Sequence, residues 1–165
     1  VRIVTGDKDL AQLLEPGDQW WDFARNTKLG PGDVHEKFGV RPDQIADYLA
    51  LTGDSVDNIP GVPGVGPKTA SALLSHFDTL DAIFDRLEEI QHLSFRGAKT
   101  LAPKLSAHQE TAELARRLTG IALDVPSALE DPDLQRRELD EARLNRVFDE
   151  LSFGGMLRQR CLQTG

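Results

Sequence analysis

Between Gly53 and Pro67, seven of fifteen residues are glycine or proline. No regular helix or strand runs through such a stretch, because proline removes a backbone donor and glycine weakens both elements. The stretch has two parts. An acidic turn carries Asp54 and Asp57, with Ser55 and Asn58 beside them. A hairpin follows, with Gly61, Gly64 and Gly66 separated by Val62, Pro63 and Val65. Pro67 then opens an apolar-periodic run through Ala70, Leu73, Leu74 and Phe77. The spacing predicts a helix with Pro67 at its first position, where a missing N–H costs nothing. The hairpin therefore brings free backbone N–H groups and a helix N-terminus to one point, which favours an anion such as a phosphate. Lys68 and Thr69 stand in the first turn of that helix.

Two familiar phosphate motifs are excluded. Pro67 separates Gly66 from Lys68, so the P-loop order is not met. The Gly61, Gly64, Gly66 spacing is not that of a dinucleotide fingerprint, and no strand precedes it. Apolar-Gly-apolar-Gly-x-Lys suits a helix–hairpin–helix gripping a nucleic-acid backbone without reading its sequence. Arg96 and Lys99 extend the same character, since residues 93–104 carry Arg96, Lys99 and Lys104 and no acid. A glycine-rich turn that only reverses the chain is the plainer alternative.

Elsewhere the chain reads as α/β and mainly helical. Val1–Thr5 is expected to be a buried strand, Gln19–Phe23 a second strand, and the chain to Leu29 its hairpin partner. Short helices are expected around Leu10–Leu14 and over Gly30–Phe38, and a longer one on Ile45, Ala46, Leu49 and Ala50. Further helices are expected from Thr79 to Leu87, Ser106 to Leu118, Asp140 to Leu151 and Phe153 to Leu162. The face of the 106–118 helix is read as Ala112, Leu114, Ala115 and Leu118. Ile121–Val125 is read as a late strand and Glu130–Asp133 as a solvated turn.

Charge narrows the chemistry. The net charge is −8, which disfavours a general nucleic-acid binder. Its distribution is uneven: residues 1–59 hold 6 basic and 11 acidic side chains, whereas residues 60–117 hold 7 of each. Acid is densest around four candidate ligands, Asp7, Asp9, Asp54 and Asp57. Asp7 and Asp9 project to one side if extended, and Asp54 and Asp57 face one way on a helical turn. Oxygen ligands of this kind suit Mg²⁺ or Mn²⁺. Taken singly, Asp54 or Asp57 also serves as a turn residue and Asp7 as a helix cap. Cys161 is the single cysteine, which points to a reducing, cytosolic setting. No apolar run reaches membrane length.

Three segments together resemble the bacterial 5′–3′ exonuclease family, the 5′-nuclease domain of DNA polymerase I and its stand-alone relatives, kin to the flap endonucleases. They are Thr5-Gly-Asp-Lys-Asp-Leu-Ala-Gln-Leu13, Ala50 through Ala70, and Leu93-Ser-Phe-Arg-Gly-Ala-Lys-Thr100. The resemblance implies a PIN-like α/β core with a helix–hairpin–helix region. It also implies hydrolysis of DNA phosphodiesters with two divalent ions, Mg²⁺ or Mn²⁺. Asp7, Asp9, Asp54 and Asp57 would be catalytic ligands of the second ion. Gly61, Gly64, Gly66, Lys68, Thr69, Arg96 and Lys99 would contact duplex DNA bearing a 5′ end or flap. Backbone carbonyls of Leu51, Pro60, Val62 and Val65 would hold a potassium ion. No membrane and no small-molecule cofactor are implied, and the setting is the bacterial cytoplasm at the nucleoid.

In that family the first-ion carboxylates precede the Thr-Gly-Asp-Lys-Asp motif, and only Val1–Val4 precede it here. The expectation is thus a C-terminal part with weak or no cleavage of its own. Residues 1–40 would belong to the nuclease core, 41–118 to the DNA-binding region, and 119–165 to helices completing the core. A non-catalytic helix–hairpin–helix binding module is the alternative. A phosphate-binding metabolic enzyme is a third reading, supported by no nucleotide-specific motif.

Overall fold

Helix α2 (Ile45–Thr52) is the most thoroughly buried helix of the first part of the chain, because it is apolar on nearly every side. Ile45, Tyr48, Leu49, Ala50 and Leu51 are all buried. A helix that is hydrophobic all round must be enclosed, and in this computed structural model it is. The structure describes residues 1–126 and 138–163. The chain groups into two units, Val1–Leu123 and Asp124–Gly165.

In the first unit, a small sheet orders its strands β1 (Arg2–Val4), β2 (Gln19–Asp22) and β3 (Thr27–Leu29). β1 runs parallel to β2, pairing Ile3 with Trp20. β3 is antiparallel to β2, pairing Trp20 with Leu29. The expected hairpin is present. Its turn is closed by Asp22, whose carboxylate accepts from the Arg25 backbone N–H at 3.1 Å, with Asn26 left-handed at φ 49°. Alternation puts Trp20 and Asp22 in the interior and leaves Trp21 on the other face. There Trp21 meets Phe23 edge to face, with the cations of Arg2 and Lys28 over its ring. β1 departs from the expected buried strand. It lies at the edge of this sheet, Ile3 alone turns inward, and Arg2 and Val4 are exposed.

Helix α1 (Pro31–Phe38) begins at a proline and ends on Gly39 in a left-handed conformation, φ 72°. Helix α3 (Pro67–Phe77) starts at Pro67 as the sequence predicts and buries Ala70, Leu73, Leu74 and Phe77. Its end is capped from outside. The buried Gln44 donates its amide to the carbonyls of Leu74 (3.2 Å) and Asp78 (2.8 Å). Helix α4 (Leu80–Asp85) is capped by the Thr79 hydroxyl and is shorter than expected, the chain tightening into a 3₁₀ segment over Leu87–His92.

Two expectations fail for tertiary reasons. The predicted 106–118 helix is two helices, α5 (Ala102–Ala107) and α6 (Gln109–Thr119), broken at His108. α6 faces α2 with Ala112, Ala115 and Thr119, while Leu114 and Leu118 are exposed. Ala112 and Ala115 are buried as expected; small residues allow close approach to α2, which takes in Thr119 and leaves the two leucines of the expected face outside. Residues 121–125 pair with no strand among the described residues and are mostly exposed. In the second unit, helices α7 (Glu141–Glu150) and α8 (Gly155–Gln163) lie against one another, and Phe148 of α7 meets Phe153 of the connecting turn edge to face. The turn expected at Glu130–Asp133 lies outside the described residues.

Candidate metal centre and nucleic-acid interface

The acidic turn is built on backbone pairing, not on a helical turn. Asp54 and Ile59 exchange both backbone hydrogen bonds at 2.8 Å, with Asn58 left-handed at φ 54°. Inside this loop the Asp54 carboxylate accepts from the Val56 N–H at 2.9 Å. Asp9 reaches the same place from the other end of the chain. It lies in a 3₁₀ turn, Lys8–Leu13, that packs against α2. Carboxylate oxygens of Asp9, Asp54 and Asp57 lie within 4.8 Å of one another. Asp9 and Asp54 are buried and Asp57 is exposed, so the group opens to solvent on one side.

Asp7 stands apart from that group. An extended chain would have placed it beside Asp9, but a 3₁₀ helix turns every three residues and separates i from i+2. Asp7 caps the turn instead, accepting from the Asp9 N–H at 3.0 Å. Its backbone carbonyl accepts from the Trp20 indole N–H at 2.8 Å, which ties the turn to β2.

Lys8, unremarked among the candidate ligands, enters the group. Its ammonium donates to Asp54 Oδ2 and lies 3.5 Å from Asp9 Oδ1. The one signal for it was its position between two aspartates. Burial pulls the Lys8 ammonium down, but the Asp54 bond and the charges of Asp9 and Asp54 outweigh it and hold the group above the ordinary lysine range. Burial pushes Asp9 up, aided by the charges of Asp7 and Asp54 and opposed by Lys8. Asp54 is held below the usual carboxylate range: burial opposes ionisation, and the Lys8 bond and the Val56 N–H overcome it. Asp9 Oδ1 is buried and takes no hydrogen bond. A buried anionic oxygen without a hydrogen bond, close to two further carboxylates, suits a hard cation.

The hairpin is welded to this loop by two glycines. A Cβ on Gly61 would lie 2.4 Å from the Thr52 carbonyl carbon, and one on Gly53 would lie 2.5 Å from the Gly61 nitrogen. The Val62 N–H donates to the Leu51 carbonyl at 2.9 Å across the same contact. Of the other glycines, Gly64 is left-handed at φ 88°, whereas Gly66 is extended and a Cβ there would meet nothing within 4 Å. The N–H groups of Gly64, Gly66 and Lys68, at and just before the start of α3, make no hydrogen bond among the described residues.

Beside them is a hollow of about 60 Å³, lined in part by Gly64, Thr69, Arg96 and Lys104. The Lys104 ammonium comes within 3.4 Å of the position a Gly64 Cβ would take. The sequence marked Lys104 only as part of a basic segment; the break before α6 and the packing of α5 bring it to the hairpin. Lys99 is exposed in the 3₁₀ turn Ala98–Thr100 and does not line the hollow. As for the four carbonyls named for potassium, those of Leu51 and Val62 each accept one backbone N–H. Those of Pro60 and Val65 accept none among the described residues.

Residues 40–142 match a family model described as 5′–3′ exonuclease, C-terminal SAM fold. The chain belongs to the 5′–3′ exonuclease family. Its relatives include a 5′–3′ exonuclease of Buchnera aphidicola subsp. Schizaphis graminum, 39% identical over 93% of this chain and 53% of that protein. DNA polymerase I of Pseudomonas aeruginosa is 42% identical over 95% of this chain and 17% of its own length. Among solved structures, a T5 5′-exonuclease superposes with a TM-score of 0.61 at 25% identity, covering 72% of this chain and 46% of that one. The chain thus spans about half, or less, of the length of these relatives. The family match and the T5 superposition agree with a mainly helical α/β fold carrying a helix–hairpin–helix region.

Proposed function

We propose that this chain forms part of a metal-dependent 5′–3′ exonuclease or flap endonuclease that hydrolyses DNA phosphodiesters. The observation that carries the reading is the convergence of Asp9, Asp54 and Asp57 within 4.8 Å in a member of this family. The T5 5′-exonuclease has been solved with zinc bound, and a T5 flap endonuclease of the same fold has been solved with DNA and metal ions. In this chain Asp9, Asp54 and Asp57 would hold Mg²⁺ or Mn²⁺, with Asp7, outside the group, adding its negative charge to the approach. A divalent cation held there supplies Lewis-acid polarisation of a phosphoryl oxygen. The chain's own residues do the rest. Asp54 and Asp9 keep the acidic group rigid through the loop and the 3₁₀ turn. The hairpin and Lys68 seat a phosphate of the duplex. Thr69, Arg96 and Lys104 extend the grip, and Lys99 lies farther along it. The carbonyls of Leu51, Pro60, Val62 and Val65 would stiffen the hairpin around a potassium ion. A protein with this role works in the bacterial cytoplasm, at the nucleoid. Among the described residues no helix is long and apolar enough to cross a membrane.

Two-ion phosphodiester chemistry needs ligands for both ions, and the described residues gather one such group. Cleavage of a labelled 5′-flap duplex in Mg²⁺ is therefore expected to be weak, and to vanish in Asp9→Ala and in chelator. Robust cleavage that survives Asp9→Ala would move the chemistry away from this group.

Duplex binding is expected to be modest and independent of sequence. Lys68→Ala and Lys104→Ala should each weaken it on every duplex alike and lower the salt slope by about one unit. Fluorescence anisotropy across a salt series measures this. Parent-like affinity and slope in both variants would leave the hairpin as a turn and nothing more.

A further inference from the structure

Two cations have a claim on one seat. Oxygen ligands of Mg²⁺ or Mn²⁺ stand about 2.0–2.2 Å from the ion, so neighbouring ligand oxygens are roughly 3 Å apart. The carboxylates of Asp9, Asp54 and Asp57, within 4.8 Å of one another, need little movement to reach that geometry. Yet the Lys8 ammonium already stands between two of them, bonded to Asp54 and 3.5 Å from Asp9. A divalent ion drawn to Asp9 and Asp54 meets a positive charge a few ångströms away, and in a partly buried group that repulsion is weakly screened.

The lysine is also equipped to leave. Its side chain is 37% exposed, whereas that of Asp54 is 3% exposed. The carboxylates are anchored by the loop and the 3₁₀ turn, while the lysine hangs on a flexible four-carbon stem. Nor does Lys8 satisfy the group fully, since Asp9 Oδ1 takes no hydrogen bond.

We propose that Lys8 is the resident counter-ion of the carboxylate group. Its ammonium holds Asp9 and Asp54 together in the metal-free protein and is displaced when a divalent cation enters, so it sets the metal affinity. The proposal rests on the reading of Asp9, Asp54 and Asp57 as metal ligands. Its consequence is a pair of opposite effects. Lys8 stabilises the metal-free chain and weakens metal binding. A lysine that served only as a structural salt bridge would do the first and not the second.

The test is calorimetric titration of Mn²⁺ into the full chain, into Lys8→Met, which keeps length and loses charge, and into Lys8→Arg, which keeps charge. Thermal unfolding of each is followed with and without Mn²⁺. Lys8→Met is expected to bind on the order of tenfold tighter, to melt at a lower temperature in chelator, and to gain more from Mn²⁺ than the parent gains. Lys8→Arg should bind close to the parent. If Lys8→Met does not fold in chelator, its Mn²⁺-driven refolding is followed by circular dichroism. A midpoint at lower Mn²⁺ than the parent's binding midpoint supports the proposal, and failure to refold overturns it. Parent binding with equal or weaker binding by Lys8→Met overturns the role of Lys8 and leaves the metal ligands standing. No binding by any of the three overturns both.

Discussion

Alanine at Gly61 should destabilise the chain by about 3 kcal/mol or more, the upper range for overpacking a close contact. The added Cβ would lie 2.4 Å from the Thr52 carbonyl carbon, 2.5 Å from the Gly53 nitrogen and 2.6 Å from the Thr52 oxygen. All three are backbone atoms, so no side chain can swing aside. Relief requires the end of α2 and the hairpin to separate. That strains the Val62-to-Leu51 hydrogen bond and then the paired loop that carries Asp54. Metal and DNA sites should therefore be lost together. Gly66→Ala is the matched control, because its Cβ meets nothing within 4 Å and its backbone is extended. Its stability should stay within about 0.5 kcal/mol of the parent. Urea unfolding of both variants is the measurement. Equal midpoints for Gly61→Ala and Gly66→Ala would mean that the α2–hairpin contact is looser than described.

Loss of Asp54 should have the largest effect on metal binding. Asp54 is buried, is fixed by the Val56 N–H, and belongs to the carboxylate group with Asp9 and Asp57. Removing an outer-shell partner of a metal typically costs 10–100-fold in affinity, and removing a direct ligand should cost at least about 100-fold. Asp54→Ala also strips Lys8 of its main partner. The resulting loss of stability is expected to be about 1–3 kcal/mol, at the lower end because Lys8 can turn its ammonium to water. Asp57→Ala separates the two effects: Asp57 is exposed, so metal affinity should fall while stability holds. Titration with Mn²⁺ alongside urea unfolding checks both. Binding by Asp54→Ala equal to the parent's would take Asp54 out of the site.

Some of this was written into local sequence. Pro67 as the first residue of α3, the left-handed Gly39 after α1, the apolar spacing of α3 and the β2–β3 hairpin all follow from rules that act over a few residues. The three motif segments likewise carried the family relationship by themselves, because residue identity at fixed spacing is what they consist of. Packing decided the rest. Asp9 and Asp54 are 45 positions apart, and what joins them is the seating of a 3₁₀ turn against α2. That turn also parts Asp7 from Asp9 and swings Lys8 into the group, which a two-residue periodicity cannot show. Gly61 and Gly66 look alike in the sequence, but one faces the backbone of α2 and the other faces open space. In α6, the sequence reading put Ala112, Leu114, Ala115 and Leu118 on one face; packing on α2 buries Ala112 and Ala115 as read, adds Thr119, and leaves Leu114 and Leu118 exposed. Spacing states which residues share a face. Which face is covered, and by what, depends on the surface that arrives from elsewhere in the chain.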